Sequence, residues 1–303
     1  MYERILVTLD GTPLAEQALV HAVSIARRTG ADLHLATVRR LMPVTLVGTP
    51  RPAGFEDVES NYLEGIAERV REAGVSSVFP EVFTSGDVAE AIEGHRRKVD
   101  ADVTVIATHG RGPVRREWMG SVADRFVRTS TAPVLLVRAE GEEPAEVDLA
   151  ADARIGRVLV PLDGSAASEE ALEPALELCR LYAAGCTLVH VVETLADVES
   201  TWVGNPFEAT AEQLEAARAV AEAELDPVCE RLRSEGFAVE RMARVAPHVV
   251  EGILDCATDT GADLIAMATH GRGGLPRLVL GSVADKVIRA ADLPVLVVPP
   301  GGR

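Results

Sequence analysis

The sequence predicts an α/β protein built as two tandem domains, each a parallel sheet with helices on both faces. Three observations predict it. Strand-like and helix-like segments alternate along the chain, the order that places crossover helices between parallel strands. The phrase Ala-Thr-His-Gly-Arg-Gly occurs twice, at Ala107–Gly112 and Ala268–Gly273, each time followed at the same spacing by Gly-Ser-Val-Ala-Asp. The segment Val103–Ala107 is apolar but for one threonine, as suits a central strand buried on both faces.

In the first half, Arg4–Leu9 reads as a buried strand and Pro13–Arg28 as a helix, its proline near the start where no helical hydrogen bond is lost. Asp32–Val38 is a second strand, Glu56–Glu72 a long amphipathic helix, Val78–Thr84 a third strand and Val88–Val99 a third helix. Val103–Ala107 leads into the glycine loop, a helix runs from Ser121 to about Thr129, and Pro133–Val137 is the last strand. The second half repeats this with strands near Val158–Leu162, Thr187–Val192, Ala238–Val245, Leu264–Ala268 and Pro294–Val298.

The repeat is a duplication. Arg4-Ile-Leu-Val-Thr-Leu-Asp-Gly returns as Arg157-Val-Leu-Val-Pro-Leu-Asp-Gly, shifted by 153 positions, whereas His109 returns as His270, shifted by 161. The second copy therefore gains a net eight residues, most naturally after its second strand, where the copies are least alike. Between the copies, residues 140–153 carry six carboxylates, no cation and no strong periodicity, which reads as a solvated acidic linker. The expected organisation is a first domain over 1–139, the linker over 140–153 and a second domain over 154–303.

A length of 303 residues suits two domains, and 47% hydrophobic with 4% aromatic content suits an Ala/Val/Leu-rich α/β protein. The formal charge of −17 argues against nucleic-acid binding, which needs a basic surface, but leaves room for a small anion held by local amides. Cys179, Cys186, Cys229 and Cys256 all lie in the second half without a Cys-x-x-Cys pair, so buried free thiols in a reducing compartment are expected. The N-terminus enters a strand at once, and no apolar run approaches the roughly 20 residues that span a bilayer. The expected location is the cytoplasm, with no membrane partner.

In each loop a glycine, Gly110 or Gly271, follows the strand, and nine residues separate it from Gly120-Ser121 or Gly281-Ser282, which open a helix. Backbone N–H groups and the helix dipole converge there, which suits a phosphate. The serine can cap the helix or hold a phosphate oxygen. Asp10 and Asp163 end the first strands, where a carboxylate can accept from ribose hydroxyls, ligate a phosphate-borne metal, or simply form the turn before glycine. Arg111 and Arg272 can reach a phosphate or remain solvated. His109 and His270 are read as structural, because no serine or cysteine nucleophile pairs with them in both copies.

Absences narrow the chemistry further. The chain has no Gly-x-x-x-x-Gly-Lys-Ser/Thr, no Gly-x-Gly-x-x-Gly after the first strand, no Cys/His metal cluster and no Gly-x-Ser-x-Gly elbow. No general base stands beside the loops, so binding is favoured over catalysis and no catalytic residue is assigned.

At these residues the chain resembles a tandem universal stress protein, over nearly all of both halves. That family's ATP-binding subgroup carries Gly-x-x-Gly, nine residues, then Gly-Ser/Thr. Here the later elements match in both copies, while Ala107 and Ala268 replace the first glycine. The resemblance implies Rossmann-like domains of the adenine nucleotide alpha hydrolase-like class, each a five-stranded sheet of order 3-2-1-4-5. It implies adenine contacts at Val38 and Val192, and a Gly86-Asp87 element that copy two replaces with Ala246-Pro247. The implied binding set is Asp10, Val38, Ala107, Gly110, Arg111, Gly120, Ser121 and Val122 in the first half. In the second it is Asp163, Val192, Ala268, Gly271, Arg272, Gly281, Ser282 and Val283. The implied ligand is ATP, AMP or ADP, with Mg carried by the nucleotide near Asp10 and Asp163. The implied assembly is an intramolecular pseudo-dimer through the apolar fifth strands, with a further homodimer and an unnamed protein partner beyond it. The function expected is a stress-response or signalling protein with two pseudo-equivalent adenine-nucleotide pockets. A slow metal-dependent ATPase and a nucleotide-free interaction module remain the alternatives.

Overall fold

The computed structural model describes residues 2–40, 57–108, 119–139, 147–194, 210–270 and 280–301. The chain divides into two compact units, Met1–Ala153 and Arg154–Pro300. The first runs β1 (Arg4–Thr8), α1 (Pro13–Glu16), α2 (Ala18–Thr29), β2 (Asp32–Arg40), α3 (Asp57–Glu72), β3 (Val78–Ser85), α4 (Val88–Val99), β4 (Val103–Thr108), α5 (Ser121–Thr129) and β5 (Val134–Arg138). The second runs β6 (Arg157–Pro161), α6 (Ala166–Glu169), α7 (Leu172–Tyr182), β7 (Gly185–Glu193), α8 (Ala211–Glu224), α9 (Asp226–Ser234), β8 (Val239–Ala246), α10 (Val249–Thr260), β9 (Leu264–Ala268), α11 (Ser282–Ala290) and β10 (Val295–Val298).

Within the first unit the strands order as β3-β2-β1-β4-β5, and within the second as β8-β7-β6-β9-β10, every described pairing parallel. This is the expected 3-2-1-4-5 sheet in each copy. Central strands are buried on both faces: Ile5, Leu6 and Val7 of β1, like Val158, Leu159 and Val160 of β6, are fully enclosed. Right-handed crossovers then put α1 to α3 on one face and α4 and α5 on the other. Glu16 of α1 accepts from Tyr62 Oη (3.1 Å) and Arg69 Nη1 (2.8 Å) of α3, fixing the first of those faces.

A repeated brace sets the register of the central strands. Asp102 Oδ2 accepts from the N–H groups of Glu3 (2.7 Å) and Arg4 (2.8 Å), tying the start of β4 to the start of β1. Asp263 Oδ2 does the same for Gly156 (2.7 Å) and Arg157 (3.1 Å).

Two sequence expectations are corrected. The single helix over 13–28 is two, α1 and α2, because Gln17 N–H bonds back to Leu14 O at i−3 and tightens the turn there. The second unit repeats the break between α6 and α7. Of the connector, 140–146 lie outside the described residues, and the rest, 147–153, is not simply solvated: Leu149 and Ala153 are each only 5% exposed. Arg27 of α2 donates to the carbonyls of Leu149 (3.4 Å), Ala150 (3.0 Å) and Ala151 (3.1 Å) and pairs with Asp152 (2.6 Å). Arg28 also pairs with Asp152, and Arg69 donates to Val147 O. One guanidinium thus satisfies carbonyls that have no strand or helix to bond to.

Candidate functional site

A cleft of about 490 Å³ opens in the second unit, at the carboxyl ends of β6, β7 and β9. This is where ligands bind in open parallel sheets. Its walls are Pro161–Asp163 at the end of β6, Ser168 of α6, Val189–Glu193 of β7, Val249 and Ile253 of α10, Met267–His270 at the end of β9, and Gly281–Ala284 at the start of α11. Of the residues expected in the second half, the cleft gathers Asp163, Val192, Ala268, Gly281, Ser282 and Val283. Gly271 and Arg272, like Gly110, Arg111 and His109, lie outside the described residues. In the first unit Asp10 follows β1, Val38 lies in β2, Ala107 in β4, and Gly120, Ser121 and Val122 open α5.

The aspartates serve the turn. Asp163 Oδ1 accepts from Ser165 N (3.0 Å) and Ser165 Oγ (2.6 Å), and Gly164 takes the left-handed φ of +78° that this turn demands. Asp10 repeats the arrangement with Thr12 N (3.0 Å) and Thr12 Oγ1 (2.6 Å), with Gly11 at +79°. Each hydroxyl then accepts from the N–H three residues on, capping α1 and α6. The second unit adds Ser168, whose Oγ accepts from Asp163 N (3.3 Å); the matching position in the first is Ala15.

The start of α11 explains the Gly-Ser pair. Gly281 N–H donates to Thr269 O at 2.8 Å, and a Cβ built on Gly281 would stand 2.8 Å from that same oxygen. Glycine is required here for space, since φ of −60° suits any residue. The glycine, not the serine, is the N-cap in both units, so Ser121 and Ser282 are the first helical residues and the capping role expected of them is withdrawn. The first intrahelical bond is Asp285 N–H to Gly281 O, which leaves the N–H groups of Ser282, Val283 and Ala284 without helical acceptors at the cleft wall. Asp124 N–H to Gly120 O makes the first unit alike. The carboxylate one turn in, Asp285, is paired with Arg289 (2.9 Å), as Asp124 is with Arg128 (3.1 Å), which offsets its repulsion of an anion at the helix start.

No lysine or arginine is among the described residues of the cleft wall; its charged members are Asp163 and Glu193. His190 of β7, 9% exposed, sets Nδ1 3.3 Å from Glu224 Oε2 of α8. His270 Nδ1 shares a 2.8 Å hydrogen bond with Thr269 Oγ1. Among the described residues no group of three His, Cys, Asp or Glu is arranged to hold a metal ion. Among them also no helix is long and apolar enough to cross a membrane.

Two equivalences between the copies shift by one residue. Strand register pairs Thr8 with Ala36 and Pro161 with Val189, so the counterpart of Val38 is Val191, and Val192 corresponds to Arg39. Since side chains alternate along a strand, the slip exchanges faces: Val191 points at α10, where a Cβ on Gly252 would meet its Cγ1 at 2.5 Å. Likewise the N-cap of α4 is Asp87, which accepts from Glu90 N, and that of α10 is His248, so Gly86-Asp87 corresponds to Pro247-His248. Val191 and His248 were missed by the motif reading, and counting from the first strand and from the glycine loop would have found both; Ser168, opposite Ala15, carried no such signal.

Comparison with known proteins agrees with this architecture. The universal stress protein family profile matches residues 1–138 and again 154–299. The chain belongs to the universal stress protein family. A universal stress protein of Mycolicibacterium smegmatis is 30% identical over 98% of this chain and 97% of its own length. One of Mycobacterium tuberculosis is 29% identical over 65% of this chain, which spans only 62% of that relative. A universal stress protein structure from Archaeoglobus fulgidus superposes with a TM-score of 0.71 at 19% identity, covering 99% of this chain and 100% of its own, and so shares the fold. A further universal stress protein, 23% identical over 46% of this chain and 98% of its own, with a TM-score of 0.37, was solved in complex with cAMP.

Proposed function

We propose that this universal stress protein binds adenine nucleotide, ATP or AMP, in one cleft per unit and acts in stress response or signalling with little or no turnover. The observation that carries the reading is the second unit's cleft, which sets three N–H groups without helical acceptors, at Ser282, Val283 and Ala284, opposite Asp163 and the end of β7. A phosphate at the helix start accepts from those donors and gains from the dipole. The apolar wall of Val189, Val191, Val249 and Ile253 suits a planar base, and the region of Asp163 suits a ribose or a nucleotide-borne Mg. Little or no turnover is part of this reading, with Asp163 of the wall engaged in its own turn. An internal pseudo-dimer through the fifth strands belongs to the same reading, on the strength of the apolar sequences Val134–Val137 and Val295–Val298.

Mass spectrometry of nucleotide released from the purified protein, with calorimetric titration of ATP and AMP into stripped protein, tests the proposal. Bound adenine nucleotide and two sites per chain are expected. A protein that purifies empty and gives no binding heat with either nucleotide ends it. Steady phosphate release from ATP above the buffer rate would favour the ATPase instead.

A further inference from the structure

The outer edge of the first unit's sheet holds two histidines in an aromatic cage. His34 of β2 and Phe79 of β3 are register partners, so both side chains leave the same face, and their rings stack with centroids 5.0 Å apart. His95, near the end of α4, packs over that face, 6.2 Å from the His34 ring and 4.9 Å from that of Phe83. It is only 5% exposed, and its Nε2 is buried with no hydrogen-bond partner. Its Nδ1 stands 3.7 Å from Glu81 Oε2 of β3, a carboxylate whose other oxygen already accepts from Lys98 Nζ of α4 at 2.9 Å. His34 is faced by Asp32 on its own strand, by Glu81, and by Arg4 of β1, which pairs with Asp100 (2.7 Å).

This arrangement tolerates neutral rings and resists charged ones. A neutral His95 can direct Nδ1–H toward Glu81 and leave Nε2 bare, whereas a protonated one carries an Nε2–H that no acceptor meets. Protonating His34 as well sets two imidazoliums side by side between phenyl rings, with Arg4 and Lys98 adding like charge. Burial accordingly lowers both pKa values, and at His34 the neighbouring His95 lowers it further. The stability that comes from keeping the rings neutral is full above about pH 6.5 and is lost as pH falls below it. The second unit lacks the cage. Its matching residues are Thr187, Glu240, Arg244 and Cys256, and ion pairs fasten the same face: Arg157 with Glu240 (2.5 Å), and Arg244 with Asp255 (3.0 Å) and Asp259. The fold therefore does not require histidines here.

We propose that the His34–His95 cage is an acid-sensitive fastening. In mild acid, protonation of the pair releases β3 and the end of α4 from β2, while the rest of the first unit and the whole of the second stay folded. β3 is the element that yields, because among the described pairings it is bonded only to β2, and Pro80 gives that ladder no N–H. Release bares Phe79 and Phe83, so the first unit gains an apolar face that the second does not.

Hydrogen–deuterium exchange of the full chain, read by mass spectrometry at about pH 7 and about pH 5.5 and corrected for intrinsic exchange, tests this. Peptides covering 78–99 should open about tenfold more readily at the lower pH, the factor for one histidine kept neutral in the closed state. Residues 4–8 of β1 and the matching segment 239–260 should change less. His34→Thr with His95→Cys, which install the second unit's residues, should remove the extra opening. His21→Leu, at a buried histidine of α2 outside the cage, should keep it. No extra opening of 78–99 in the wild type, an equal response in 4–8 or 239–260, or a response that survives in the folded double variant overturns the proposal. The first two outcomes need no variant.

Discussion

Gly281→Ala should damage the second unit far more than Gly120→Ala damages the first, although the two glycines occupy matching helix starts. Both residues have dihedrals that alanine adopts freely, φ −60° and ψ 146° at Gly281 against −57° and 145° at Gly120, so neither change strains the backbone torsions. The difference lies in space. An added methyl at Gly281 would sit 2.8 Å from the carbonyl oxygen of Thr269, an oxygen held in the backbone and also bonded by Gly281 N–H. Relieving the contact requires moving the helix start away from Thr269. Overpacking costs about 1–3 kcal/mol and a weakened buried hydrogen bond about 1 more, giving a loss of roughly 2–4 kcal/mol. At Gly120, no atom of the described residues lies within 4 Å of an added methyl. Alanine there should be neutral or stabilise by up to about 1 kcal/mol through the unfolded chain. Thermal unfolding followed by circular dichroism reads this directly, since 1 kcal/mol moves the midpoint of a domain this size by roughly 2–4 °C. Equal losses in the two variants, or no loss at Gly281, would falsify the steric account.

Three other expectations follow from the same coordinates. Burial lowers the His21 pKa from 6.5 to about 4, so the unfolded chain binds the proton more readily: stability is full above pH 6.5 and falls toward pH 4, by up to about 3 kcal/mol. His34 and His95 are lowered in the same direction, so His21→Leu should flatten the acid slope of urea midpoints without removing it; an unchanged slope would rule His21 out as a contributor. Arg27→Met should release the connector and speed its proteolysis at 147–153 well beyond Arg28→Met, because Arg27 alone bonds the three carbonyls; equal rates would refute the anchor. Gly252→Ala should destabilise by about 1–3 kcal/mol through contact with Val191, and Val191→Ala should recover part of that loss; strictly additive effects in the double variant would show the two do not touch.

Where the sequence carried strong local signals, the structure agrees closely. Val88–Val99, Ser121–Thr129 and Leu264–Ala268 have the expected limits, because a glycine, a cap or an all-apolar run marks each end. The strand order in each unit also stands as expected. What escaped notice depended on distant or degenerate information. The connector is held by Arg27, more than a hundred positions away, so its own composition shows only charge. Val191 and Val192 are both apolar, so hydrophobicity cannot choose between them; the choice needs the 153-residue offset carried forward from the first strand, which the pairing of β6 with β7 preserves. The serine after Gly281 is a good capping residue by type, but the Gly281–Thr269 contact fixes the helix start one residue earlier.

The Asp-Gly turns bear on how any ligand role of Asp10 and Asp163 can be measured. One oxygen of each carboxylate already holds the N–H and hydroxyl of the residue two positions on, and that hydroxyl in turn begins a helix. Alanine at either position removes shape and charge together, so a lost activity could not be traced to either. Asparagine separates them: its amide oxygen keeps the turn while the negative charge disappears. The duplication supplies a control within the same molecule, because each aspartate can be neutralised while its twin stays intact.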